Sequence, residues 1–194
     1  NLTGTFIYND ADSLKKLIST DPNNFAAVIL EPVGVIPLEP GFLEKVRKIC
    51  DEFGTVLIFD EIVSGFRVAL GGTSEFCGVL PDLACFGKAM ANGFPISAVV
   101  GCREIMQKME DIFFSVTFGG ETISLAAAAA TIDKLERENV PIRLAKRGRI
   151  LTQRANMVLA QHGLQEIMKF SGNAWLPRLN FYNSPIDIDV LKTL

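Results

Sequence analysis

Three acids and one lysine stand where apolar runs stop. Glu31 follows "FAAVIL", the adjacent pair Asp60 and Glu61 follows "TVLIF", and Lys88 follows "DLACFG". A run as apolar as Val56–Phe59 reads as a buried strand, so two charges directly after it need an explanation. Either the acids sit at the solvent end of the strand, or one of them has a cationic partner inside the fold. Lys88, inside a glycine-flanked turn, allows two readings: a surface lysine in a loop, or an amine held in a cleft. In a cleft, partial desolvation and neighbouring cations favour the neutral amine, the form competent to make a Schiff base. A carboxylate from a neighbouring strand end could then pair with the cationic ring nitrogen of a bound cofactor. That would supply the buried acid with its partner.

The elements that must carry these residues follow from patterning. "YNDADSLKKLIS" has an N-cap in Asp10 or Asp12, then Leu14, Leu17 and Ile18 at helical spacing. "FAAVILEP" predicts a buried strand stopped by Pro32. "PGFLEKVRKICDEFG" predicts a helix with Phe42, Val46, Ile49, Cys50 and Phe53 on one face and Gly54 closing it. "TVLIFDE" is the next strand. Strand, helix, strand in about thirty-five residues is the size of a βαβ unit. Continuous apolar runs suit a mostly parallel sheet covered on both faces. "DLACFGK" and "ISAVVGC" predict further strands, and "ETISLAAAAATIDKLERE" a helix whose alanines allow close packing. Pro141 breaks the chain. "IRLAKRGRILTQRANMVLAQHG" then predicts a long helix that could begin a second domain. In an open α/β sheet, ligands bind at the carboxyl ends of the strands, where Glu31, Asp60, Glu61 and Lys88 fall.

Composition narrows the classes. The 194 residues are 48% hydrophobic, enough for one sizeable core, or for one domain and part of another. Nineteen basic residues against 22 acidic ones, with no basic stretch interleaved with aromatics, argue against nucleic acid as a partner. No apolar run reaches a membrane span. The first residues lack the basic and apolar regions of a signal peptide, which predicts a cytoplasmic protein. The cysteines Cys50, Cys77, Cys85 and Cys102 show no C-x-x-C pairing and read as reduced core residues. The one histidine, His162, stands where the pattern predicts a helix end, and a single histidine argues against zinc chemistry or a Ser-His-Asp triad. No metal site is predicted. A nucleotide-binding domain would need a G-x-G-x-x-G or Walker signature, and neither occurs.

The stretch "AAVILEPVGVIPLEPGFLEKVRKICDEFGTVLIFDEIVSGFR", followed by "GVLPDLACFGKAMANGFPISAVVG" and "TFGGETISLAAAAATI", resembles the class III aminotransferases. These are pyridoxal-phosphate enzymes of fold type I. The nearest resemblance is to the glutamate-1-semialdehyde 2,1-aminomutase branch and its sugar-modifying relatives, from about Tyr8 to about Leu135. The resemblance implies an α/β fold: residues 1–138 part of the cofactor-binding large domain, and 139–194 a connecting helix and the start of an α+β small domain. It implies pyridoxal 5'-phosphate as cofactor and an amino-acid or amino-sugar type substrate. Lys88 looks like the lysine that forms the internal aldimine and shuttles the substrate proton. Asp60 looks like the acid on the pyridine nitrogen. Ile62 looks like the aliphatic residue on the ring face. Thr117, with the backbone of Gly119 and Gly120, looks like the phosphate holder that acts from the neighbouring subunit, which implies a homodimer with shared sites. Glu31 either orders the surroundings of the site or caps its strand.

Some residues depart from the family pattern. After "EPV" the loop "GVIPLEP" is shorter than in many relatives, and it borders the substrate. Val63 stands where ornithine-type relatives place a glutamine, which leans away from that branch. "FGGET" replaces the commoner "GGNP". The resemblance also implies that the region supplying the phosphate cup and the ring-stacking aromatic precedes this stretch, so the stretch alone is expected to bind the cofactor weakly. The activity expected is pyridoxal-phosphate-dependent amino transfer, intermolecular or as a 2,1-shift. The alternative is a truncated or non-catalytic copy that serves as a dimerisation module.

Overall fold

The computed structural model describes residues 2–113 and 117–182. Its first helix, α1 (Ala11–Ser19), is capped by Asp10, whose side chain accepts from the Ser13 N–H, and it buries Ala11, Leu14 and Ile18. Strand β1 (Ala27–Leu30) leads through the Pro32–Pro37 loop to α2 (Phe42–Phe53). Gly41 and Gly54 bracket α2 with left-handed backbone. Strand β2 (Val56–Asp60) lies parallel to β1, with Ala27 beside Val56 and Leu30 beside Phe59. The short helix α3 (Gly72–Cys77) precedes β3 (Leu83–Phe86), which is again parallel, with Asp60 beside Cys85. Strand β4 (Ala98–Gly101) closes the sheet antiparallel to β3. The order β1-β2-β3-β4 confirms the βαβ unit and makes three of the four strands parallel.

The core sits between this sheet and the layer of α1 and α2. Leu30, Leu43, Val46, Cys50, Leu57 and Phe59 meet there. Each fully buried Leu or Phe contributes about 1.5–3 kcal/mol. Helices flank the sheet as the continuous apolar runs predict, but among the described residues the coverage is partial. In β1 and β2 every second residue is buried, and on the other face Ile29 is 60% exposed. Val99 and Val100 of β4 are also exposed. The runs are apolar on both faces, and among the described residues helices leave the Ile29 side of β1 open.

Arg47 of α2 ties the layers together. It pairs with Asp51 at 2.7 Å and with Asp82 at 2.9 Å. The Asp82 carboxylate also accepts from the Leu57 N–H at 2.6 Å, so one acid before β3 holds both the helix and the middle of β2.

After β4 come α4 (Arg103–Met106), α5 (Thr122–Arg137) and α6 (Val140–Gln161). Pro141 does not break the chain. It lies in the first turn of α6, where its missing N–H costs nothing, and the break falls at Asn139, whose φ is 48°. His162 caps the end of α6, as its position predicts. The antiparallel hairpin of β5 (Met168–Asn173) and β6 (Leu176–Phe181) then folds back on α6. The stretch from residue 183 onward lies outside the described residues. All four cysteines are free, with Cys50 buried in the core and the others half-buried. Among the described residues no helix is long and apolar enough to cross a membrane.

The hairpin docks on α6 through a bare backbone contact. A Cβ on Gly148 would fall 1.6 Å from the Ala174 carbonyl oxygen. Asn156 adds two hydrogen bonds of 2.8 Å to the Phe170 backbone. Gly148→Ala is therefore expected to prise the hairpin off α6 and to cost about 1–3 kcal/mol, as overpacking does. Limited proteolysis checks this: cleavage within 168–181 should speed up while the sheet core stays protected. Unchanged cleavage would show that the contact carries no weight.

Candidate active site

Because β1, β2 and β3 are parallel neighbours, their carboxyl ends share one edge of the sheet. Leu30 pairs with Phe59 and Asp60 with Cys85, so Glu31, Asp60 and the segment entering Lys88 lie side by side. Three of the residues singled out by sequence are thereby brought together.

Strand periodicity separates the two adjacent acids. Leu57 and Phe59 face the core, and Glu61 continues that face at 1% exposure. Asp60 turns to the other side and is half-buried. Its Oδ1 accepts from the Ile62 N–H at 3.1 Å, which turns the carboxylate toward the start of the 61–68 loop. Asp60 also helps push the Cys85 thiol up, second to burial, which marks how near the two strands bring them.

The buried acid has no cationic partner among the described residues. Arg67, the nearest cation along the chain, gives its guanidinium to the Val63 carbonyl. Glu61 is instead surrounded by neutral donors. The Thr73 N–H donates to both carboxylate oxygens at 2.9 and 2.8 Å, and the Thr73 and Ser64 hydroxyls each donate at 3.0 Å. Thus the acid inside the fold is Glu61 rather than Asp60, and hydroxyls and a backbone N–H do the work expected of a cation. Sequence reasoning missed this set. The available signal was the period of two: Leu57, Phe59 and Glu61 lie on one face.

Strand β3 ends at Phe86, and Gly87 passes the chain into a 3₁₀ turn that Lys88 opens. Lys88 has φ of 38°, a strained value for a side-chain-bearing residue. Such strain is common where a side chain must be aimed. Lys88 is exposed on this chain, so the expected cleft is not closed by the residues described. Ile62 reaches the same spot: a Cβ on Gly87 would meet its Cδ1 at 3.1 Å. Behind the turn, Met90 and Ala91 pack on Ala128 of α5.

Glu31 is exposed and folds over Gly34, whose added Cβ would meet the Glu31 Oε2 at 3.1 Å. Tyr8 lies alongside and donates to the Pro32 carbonyl at 2.9 Å. Asn173 of β5 donates to the Gly34 carbonyl at 2.6 Å, which fastens the hairpin to this loop. Thr117, Gly119 and Gly120 are not brought to the same place. They form an exposed turn before α5, and among the described residues no hydrogen bond links them to Asp60 or Lys88. Glu121 caps α5 by accepting from the Ile123 and Ser124 N–H groups at 2.7 Å each.

An amine and a half-buried carboxylate at adjacent strand ends, with an aliphatic side chain against the turn, suit a ring cofactor bound through an imine. That is the class of protein this fold and site define. The family model for class III aminotransferases matches residues 6–173. The chain is 40% identical over 183 residues to the 3-aminobutyryl-CoA aminotransferase of Cloacimonas acidaminovorans, covering 91% of this chain and 44% of that one. It is 39% identical over 186 residues to the glutamate-1-semialdehyde 2,1-aminomutase of Chlorobium chlorochromatii, covering 92% and 43%. The solved pyridoxal-phosphate internal aldimine form of the FumI protein of Sphingopyxis sp. MTA144 superposes with a TM-score of 0.86 at 31% identity, covering 94% of this chain and 45% of that one. The omega-transaminase of Sphaerobacter thermophilus superposes with a TM-score of 0.80 at 31% identity, covering 92% and 42%.

The chain belongs to the class III aminotransferases, and its fold is part of their pyridoxal-phosphate transferase fold. It spans less than half the length of the curated relatives it matches. Pyridoxal phosphate is the cofactor that this membership brings. The residues present fit that group: Asp60 offers a carboxylate with no ion pair among the described residues, and Lys88 an amine bound to no acid. Nothing in these matches supports a non-catalytic copy.

Tyr8 gives this end of the site a measurable signature. Burial, and after it the charge of Glu31, push its hydroxyl up to about 12. The unfolded phenol ionises near 10. The native state holds the proton more tightly, so this contribution to stability is complete below about pH 10 and is lost as pH rises toward 12. Ultraviolet titration of the native chain is expected to show one late tyrosine that Tyr8→Phe removes. A Tyr8 that ionises near 10 in the folded chain would contradict the contact.

Proposed function

We propose that this chain is the stretch of a class III aminotransferase subunit that carries the reacting lysine. The whole protein would transfer an amino group between amino-acid or amino-sugar type molecules, or shift one within a molecule as a glutamate-1-semialdehyde 2,1-aminomutase does. The observation that carries this reading is the placement of Glu31, Asp60 and Lys88 at the carboxyl ends of three adjacent parallel strands. In this reading residues 1–138 belong to the large domain, and 139–194 begin the small one.

When bound, pyridoxal phosphate supplies an electron sink for bond breaking at the carbon that bears the amino group. Lys88 would hold the cofactor covalently and, once released, move a proton at that carbon. Asp60 would keep a proton on the ring nitrogen. Ile62 would press on the ring face. Glu31, beside the Pro32–Pro37 loop, would order the substrate side. Thr117 and the backbone N–H groups of Gly119 and Gly120 would hold the phosphate of a second subunit's site. Their exposure on this chain supports that trans role and a homodimer.

In the full-length protein, borohydride reduction should fix the cofactor on the peptide containing Lys88, and Lys88→Ala should abolish amino transfer. Mixing Lys88→Ala with Thr117→Ala subunits should restore part of the activity, since some dimers would hold one intact site. A label on another lysine would sink the Lys88 assignment, and no recovery on mixing would sink the trans role.

Asp60→Asn should lower the rate by about 10²–10³, the usual cost of one preorganised electrostatic group. A near wild-type rate with full cofactor loading would mean that Asp60 only ends a strand.

A further inference from the structure

Glu61 takes no part in the chemistry above, yet it is bonded to Asp60 and hydrogen-bonds to β3, to the 61–68 turn and to the start of α3. Its N–H donates to the Cys85 carbonyl at 2.9 Å, three residues before Lys88 on β3. Its own carbonyl accepts from the Gly65 N–H at 2.8 Å and closes the turn that holds Ile62. Its carboxylate takes the Thr73 N–H and hydroxyl and the Ser64 hydroxyl. One residue therefore joins the end of β2, the end of β3, the 61–68 turn and the start of α3.

The fit has no slack. Gly72, with φ of 72°, brings its Cα so close that a Cβ would lie 2.6 Å from both Glu61 side-chain oxygens. A Cβ on Gly65 would lie 2.7 Å from the Glu61 carbonyl oxygen and 2.5 Å from the Phe86 ring. Each polar group facing the carboxylate is a donor. A carboxylate can accept at both oxygens and so matches all of them, whereas an amide in either orientation would turn its NH₂ toward the Thr73 N–H. Charge-assisted hydrogen bonds are roughly twice as strong as neutral ones, and a buried carboxylate that loses donors is costly. Glu61 is thus held in one place.

We propose that Glu61 is a positioning residue of the amino-transfer site: its buried carboxylate clamps the end of β2 so that Asp60 and Lys88 keep their relative placement. The inference rests on the roles given above to Asp60 and Lys88. Successive strand residues point to opposite faces, so fixing the Glu61 side chain in the core fixes the direction of Asp60. The bond to Cys85 carries the same constraint into the strand that delivers Lys88.

The test uses the full-length protein loaded with pyridoxal phosphate, in Glu61→Gln and in the pair Ser64→Ala with Thr73→Val. The pair leaves the carboxylate in place and removes both hydroxyls, so it keeps the test open if Glu61→Gln does not fold. Cofactor uptake and KM for the amino donor are expected to persist. The kcat should fall by about ten- to a hundredfold, as a small misplacement of reacting groups does. The pH dependence of the bound cofactor's visible absorption should also move, because Asp60 would sit differently against the ring nitrogen. Thr73→Ser, which keeps the hydroxyl, should restore both readings in the Ser64 wild-type background. A lower melting temperature with unchanged kcat and unchanged absorption profile would overturn the inference and leave Glu61 a purely structural residue. If the unmutated full-length protein takes up no pyridoxal phosphate, the amino-transfer reading itself falls, and this inference with it. If it is active and the variants keep its kcat and absorption profile, only this inference falls.

Discussion

A carboxylate buried without a cation must be solvated by the protein, and the end of β2 is built around doing this for Glu61. Two hydroxyls and a backbone N–H converge on it from the 61–68 turn and from α3. The requirement fixes more than one side chain. It brings Gly72 to within contact of the carboxylate, which forces left-handed backbone there. It orients the turn that carries Ile62, and it leaves Asp60 as the acid free to face outward. Two acids adjacent in sequence thus serve opposite ends: one is used up holding the edge of the sheet, and the other is left available at it.

Much of this edge was legible in the sequence. Val56–Phe59 and Leu83–Phe86 are apolar enough to read as strands, and α2 announces its end with Gly54, so the βαβ unit and the parallel order follow from local signals. Lys88 and Asp60 stand out because charge interrupts apolar runs. Less legible was which acid is buried, since two neighbours in a strand differ only in the face they take, and that needs the phase of the pleat. The antiparallel turn of β4 was also hidden: "ISAVVG" has the same composition whichever way it runs. Coverage of the second face cannot be read from composition either. Ile29 and Val99 are as apolar as core residues, but among the described residues they stay exposed.

The two halves of the expected site behave differently for a physical reason. Glu31, Asp60 and Lys88 are joined by strand pairing, so one chain suffices to place them. Among the described residues, Thr117, Gly119 and Gly120 belong to a turn whose far side is held by Glu121, which caps α5. The alanines of α5 let it approach the turn after Lys88, through Ala128 against Met90 and Ala91, and Ser124 in its first turn is buried, whereas residues 117–120 before it are exposed.

The pattern of similarity then says what this stretch governs. It is 40% identical to a protein named for 3-aminobutyryl-CoA and 39% identical to one named for glutamate-1-semialdehyde, over nearly the same residues. Those two names describe substrates that differ in size, charge and the position of the amino group. A stretch similar to both to the same degree does not distinguish between them. Within this chain the segment best placed to differ is the Pro32–Pro37 loop. It sits at the same sheet edge as Lys88, outside the strand pairing that fixes the acids. Its backbone is held by the Tyr8, Asn9 and Asn173 side chains, which hydrogen-bond its Pro32, Pro37 and Gly34 carbonyls, while its Pro32 and Val33 side chains are buried. Its exposed positions, Val35 and Ile36, can therefore change without disturbing the strand pairing that places Asp60, Glu61 and Lys88, and loops set on a rigid scaffold are where one fold varies its use.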